Sequence, residues 1–134
     1  MRRIVLLVTV IATLIVGFGV GTAHAGSPHF VTVSATQSDN TLTVSGKEAG
    51  LGNEDQVHIV VTATAECINP GNNHPKAANK ESVSAAGDFP VQNGKALFSL
   101  TLVAAFQPDC SPPMTVQFSD IVVTDETSGI STSL

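Results

Sequence analysis

Apolar and polar residues alternate with a period of two through most of the chain beyond residue 26. The alternation is densest over 56–67, where Val57, Ile59, Val61, Ala63, Ala65 and Cys67 share one parity and His58, Val60, Thr62, Thr64 and Glu66 the other. A period of two sends successive side chains to opposite faces of a strand, so this segment predicts a strand with one face in a core. Weaker versions recur over 30–36, with Val31, Val33 and Ala35 on one side, and over 41–45, with Leu42 and Val44 against Thr41, Thr43 and Ser45. Residues 37–40 between them carry turn chemistry. Residues 46–55 read as a connector whose Leu51 plugs inward, and the Asn, Pro and Gly of 69–75 cannot continue a ladder.

Extended structure resumes over 82–86. Asn93-Gly94 between two alternating runs predicts a two-residue hairpin pairing Gln92 with Lys95, Val91 with Ala96 and Phe89 with Phe98. That register gathers Phe89, Val91, Ala96, Phe98, Leu100 and Leu102 on one face. Met114, Val116 and Phe118 alternate until Ser119-Asp120, where the phase slips; a bulge leading to Ile121 and Val123 and a tight turn into a separate strand both fit. Thr127-Ser128-Gly129 ends the pattern and leaves 126–134 as a frayed tail. No segment after the leader has a helical period. The fold class predicted is all-β: a single immunoglobulin-like β-sandwich of about seven strands over 26–134, with one disulfide.

The first 25 residues change the picture. Met1-Arg2-Arg3, an apolar run from Ile4 to Val16, and Ala23-His24-Ala25 supply the three regions of a secretory signal peptide cut after Ala25. Retention as an uncleaved anchor is the alternative, because the apolar run approaches the length that spans a bilayer. An exported chain makes Cys67 and Cys110, the only two cysteines, most simply a disulfide. Counting strand directions from Cys67 through the Asn93-Gly94 turn returns Cys110 to the same end. Metal binding is the remote alternative, since no ligand spacing accompanies the cysteines.

Pro28-His29-Phe30, Glu48-Ala49-Gly50-Leu51-Gly52, Cys67-Ile68-Asn69 with Pro75, Asn79-Lys80, Asn93-Gly94 and Cys110-Ser111-Pro112-Pro113 together resemble a group of short secreted proteins of actinobacteria and similar soil bacteria. The resemblance covers most of the chain after the leader. Members commonly carry an aromatic before the first cysteine and a Gly-rich loop after it, where this chain has Ala65-Glu66 and fewer glycines. The resemblance implies an extracellular β-sandwich and brings no assigned activity or site.

Charge and composition then narrow the function. The formal charge is −5, and loss of Arg2 and Arg3 with the leader takes it to −7, the wrong sign for nucleic acid or anionic membranes. His29, His58 and His74 read as edge, strand-face and loop residues. No nucleophile signature accompanies them, so no enzyme, metal or cofactor is expected. Glu54-Asp55, Asp120 and Asp125-Glu126 read as solvated turn acids. With no Trp or Tyr, a stacking sugar platform is poorly supplied, and Phe106 is the only candidate loop aromatic.

The function expected is a non-catalytic secreted binding or interaction module, probed by an extracellular ligand or cell-envelope component and monomeric. An envelope-associated structural protein is the alternative, and a small secreted hydrolase a distant third. The candidate ligand site lies at the disulfide end, where Asn72, Asn73, His74, Lys76, Asn79 and Lys80 supply donors and Phe106 an apolar anchor. A solvated loop stapled only for stability is the competing reading of the same residues.

Overall fold

Alternation becomes a layer in β3 (Gln56–Ile68), which buries Val57, Ile59, Val61, Ala63, Ala65 and Cys67 on one face. The computed structural model describes residues 27–71 and 79–134. The leader, Asn72, Asn73, His74 and Lys76 therefore lie outside the described residues. β3 pairs antiparallel with β4 (Lys80–Pro90) on one side and β6 (Thr115–Asp125) on the other, and β7 (Ile130–Ser133) adds beyond β6. A second antiparallel sheet runs β1 (His29–Ser38), β2 (Thr41–Ala49), β5 (Ala96–Val103). The fold is thus all-β, seven strands in two sheets of order β1-β2-β5 and β4-β3-β6-β7, with no α-helix among the described residues. Leu42, Val44, Phe98 and Leu102 of one sheet meet Val57, Ile59, Val61 and Val123 of the other in a single core, and each such side chain contributes about 1.5–3 kcal/mol on full burial.

Several expectations change. β2 does not stop at Ser45 but continues through Gly46 to Ala49, because glycine is the residue the position demands. A Cβ on Gly46 would collide with the Thr32 carbonyl and stand 2.7 Å from the Phe98 ring. In β1 the register shifts between Phe30 and Thr32. Phe30 and Val33 consequently both pack on the core, while Val31, expected inward, is 50 % exposed.

Gln92 and Lys95 exchange backbone hydrogen bonds of 2.8 and 3.0 Å around Asn93 and Gly94, both at positive φ, as a two-residue turn requires. The ladder ends there. Val91 donates its amide to Asp55 O at 2.9 Å, and the chain crosses from one sheet to the other, so Val91 does not pair with Ala96. Phe89 and Phe98 do meet, edge to face with centroids 6.1 Å apart, but across the core and not along a hairpin. The phase slip in β6 is a bulge within one strand: pairing to β3 shifts between Ser119 and Val122, with Asp120 at φ 51°. The expected frayed tail is ordered as β7, because Gly129 at φ 71° turns Ile130 back against Asp125.

Cys67 and Cys110 form the disulfide, with Cα atoms 5.7 Å apart, tying the end of β3 to the loop between β5 and β6.

Candidate functional site

The disulfide anchors one end of the sandwich, and three further ties hold the chain around it. Asn40, at the turn between β1 and β2, donates Nδ2 to Ala104 O at 3.0 Å and accepts the Ala104 amide on its carbonyl at 2.9 Å. Glu81, at the start of β4, accepts the Ala105 amide at 2.8 Å. Gln37 spans the two sheets, donating Nε2 to Val116 O at 2.6 Å and to Asp39 O at 3.0 Å. Such backbone-anchored contacts fix loops that would otherwise be mobile.

Between these ties lies an open groove of about 810 Å³. Gln37, Asp39 and Asn40 form one wall and Met114, Thr115 and Val116 the other, with Phe106 and the disulfide sulfur side at its base. Met114 Sδ lies 3.8 Å from Cys67 Sγ, packing the thioether on the disulfide. The lining mixes apolar surface with amide and hydroxyl groups; among the described residues its charged side chains are Asp39 and Asp109, and no Lys, Arg or His lines it. A mixed concave surface of this size suits a ligand with apolar and hydrogen-bonding parts.

The candidate residues divide among several places. Phe106 does line the groove, but it is 7 % exposed and belongs to the core, so it serves as floor and not as a projecting anchor. Asn79 and Lys80 lie outside the lining; Lys80 Nζ pairs with Glu66 Oε1 at 3.1 Å on the outer face of the four-stranded sheet. Gln37, Asn40, Met114 and Val116 were not among the residues singled out in the sequence. Their signal was the pair of turn and strand-start positions flanking the cysteine loop, which only the folded register brings together.

A second polar feature sits inside the sandwich. Glu48 of β2 and Asp125 of β6 are both 0 % exposed and face each other between the sheets. Asp125, expected as a solvated turn acid, accepts the Thr127 and Ser128 amides on Oδ1 at 2.8 and 3.2 Å. Neither Glu48 oxygen, nor Asp125 Oδ2, has another hydrogen-bond donor. Two buried carboxyls without a cation between them cannot both ionise, so one holds a proton. Burial, then the hydrogen bond to Asp125 and its charge, push the Glu48 carboxyl up to about 8. Glu48 is the acid that donates to Asp125. Neither residue lines the groove, so the pair lacks the substrate access that a catalytic dyad needs.

His58 stands on the outer face of the four-stranded sheet with Nδ1 2.8 Å from Asp88 Oδ1 and Nε2 3.8 Å from Glu126 Oε2. The hydrogen bond to Asp88 raises its pKa above the ordinary histidine value, with the nearby acids adding to the shift. Among the described residues no hydroxyl or thiol nucleophile is hydrogen-bonded to its ring, and no group of three His, Cys, Asp or Glu side chains is placed to hold a metal ion.

Comparison with known proteins returns no family model, no curated relative and no solved structure that matches the chain.

Proposed function

We propose that the protein is a non-catalytic secreted binding module that takes its ligand in the groove at the disulfide end. The observation carrying this reading is the groove's construction: its walls are held by Gln37, Asn40, Glu81 and the Cys67–Cys110 bond before any ligand arrives. A site fixed in advance avoids much of the ordering cost of binding. Export is supported by the leader pattern and by an oxidised cysteine pair. The immunoglobulin-like reading is supported by the strand order, which has β1-β2-β5 facing a β3-β6-β7 sheet with β4 added beside β3.

The test is retention. Purified protein is incubated with culture supernatant and cell-wall fractions, and the retained molecule is identified by mass spectrometry. Val103, 57 % exposed on the groove rim, tolerates enlargement, so Val103→Trp is expected to abolish retention with an unchanged melting midpoint. Undiminished retention by both Val103→Trp and Pro112→Trp rules the groove out. An envelope-associated protein assembling through sheet edges is the second reading, favoured by β1, an edge strand of ten residues without acid, lysine, arginine or proline. A concentration-dependent oligomer in solution would decide for it.

A further inference from the structure

β6 runs on past β7 at the groove end of the four-stranded sheet. β6 has eleven residues and β7 only four, and β7 pairs with 122–125 alone. Leu134 adds one more hydrogen bond, from its amide to Ile121 O at 2.9 Å. Beside residues 115–119, on the side away from β3, no strand lies among the described residues.

The facing sheet overhangs the same gap. Ala35 pairs with Val44 and Gln37 with Leu42, and cross-strand partners share a face, so Ala35 and Gln37 point inward with Val44 and Leu42. Yet Val44 and Leu42 are buried while Ala35 and Gln37 are exposed. The inner face of β1 is therefore uncovered where β6 lacks its neighbour. One hydrogen bond already crosses the gap, from Gln37 Nε2 to Val116 O, and it fills an acceptor that a strand would use. In an antiparallel strand alternate residues turn their backbone groups to the same side, so Phe118 presents its amide and carbonyl there too.

We propose that the groove binds an extended, basic peptide segment, which adds as a strand beside residues 115–119 of β6 and covers the inner face of β1. The proposal rests on the groove-binding reading above and names the ligand class. Main-chain pairing gives such a complex its affinity and alternate side-chain pockets its selectivity. Inward side chains of the segment meet Ala35, Met114 and Val116; outward ones meet water. The sign of the charge comes from the described surroundings: Asp39 and Asp109 line the groove, Asp120 lies on the β6 bulge, and among the described residues no cation lines it. A second copy of this chain, at −7 without its leader, is the wrong partner for that acidic rim.

The experiment uses a short blocked peptide alternating valine with lysine, followed by amide chemical shifts of the labelled protein and by calorimetry. Expected are shifts and slowed hydrogen exchange at Val116 and Phe118, and about tenfold or greater loss of affinity when the peptide is N-methylated on the pairing register. The Asp39→Asn, Asp109→Asn double variant should weaken binding roughly three- to tenfold at low salt, and a valine–glutamate peptide should not bind. Shifts confined to the β5–β6 loop, insensitivity to N-methylation, or pairing on the outer edge of β1 overturns the proposal. Absence of peptide binding while the groove still retains an extracellular molecule overturns it and leaves the binding-module reading standing; absence of both overturns the two together.

Discussion

Replacing Glu48 by glutamine is expected to stabilise the protein at neutral pH and to remove most of the slope of stability against pH. In the unfolded chain this carboxyl ionises near 4.5, and in the fold it holds its proton up to about 8. Folding at pH 7 therefore takes up a proton. Each pH unit of that uptake costs about 1.4 kcal/mol, so the difference between 4.5 and 7 amounts to roughly 3 kcal/mol. The sign follows from the raised value: the stabilisation is complete below 4.5 and is lost as pH rises through 8. Glutamine keeps the shape of the protonated acid and can donate an N–H to Asp125, but that bond is weaker than one between acid and carboxylate by about 1 kcal/mol. The net gain at pH 7 should be about 1–3 kcal/mol, turning into a small loss near pH 4.5.

Urea titrations of both proteins between pH 4.5 and 8.5 measure this directly. Across the window wild type should lose about 1.4 kcal/mol more per pH unit than Glu48→Gln. The His58 pKa is also raised, chiefly by the hydrogen bond to Asp88, and gives a slope of the same sign in both proteins, so the difference between them reports Glu48. A variant less stable than wild type at pH 7, with an unchanged slope, would show that Glu48 is ionised in the fold and that the buried pair is wrongly described.

Three further outcomes are expected. Reducing the disulfide, which closes 43 positions of chain, should cost about 4 kcal/mol and lower the melting midpoint by many degrees, at roughly 4–8 °C per kcal/mol; an unchanged melt after verified reduction would refute the chain-entropy account. Phe98→Ala removes the ring that meets both Phe30 and Phe89, at 6.0 and 6.1 Å, and should cost about 3–5 kcal/mol in denaturant melts, with a loss below about 1 kcal/mol contradicting its central place. Gly46→Ala, the smallest enlargement possible, should cost about 1–3 kcal/mol because its Cβ meets the Thr32 carbonyl and the Phe98 ring; a neutral result would mean the two strands can separate there.

Strand periodicity was legible wherever one face is buried and the other wet, which is why β3 and its six inward residues follow from sequence alone. It failed where a local rule was overridden from across the sandwich. Gly46 reads as a breaker until the Phe98 ring above it is known, and Glu48 reads as polar connector until Asp125 is known to supply its hydrogen-bond partner. Asn93-Gly94 specified its turn correctly, but a two-residue turn fixes only the chain reversal. Whether the arms then pair or part is decided by which sheet each can join, and β4 pairs with β3 over eleven positions. The disulfide was legible because the leader pattern, the cysteine count and the strand direction agreed. The groove was not, because Gln37 and Val116 are 79 positions apart and neither carries a motif.

The position of the groove nonetheless has a trace in the sequence, in the broken alternation at Ser119-Asp120. Before that point β6 turns Val116 and Phe118 toward the core; after it, Val123 and Asp125. The bulge adds the residue that shifts the parity. It also divides the strand into a half that β7 covers and a half whose outer edge is open. The open edge, the uncovered face of β1 above it and the groove between them lie together on the side of the bulge that β7 does not cover. A substitution that straightened the bulge without changing the residue count would restore a single parity only by turning either Val116 and Phe118 or Val123 and Asp125 out of the core, so the bulge is fixed by both halves of the strand at once.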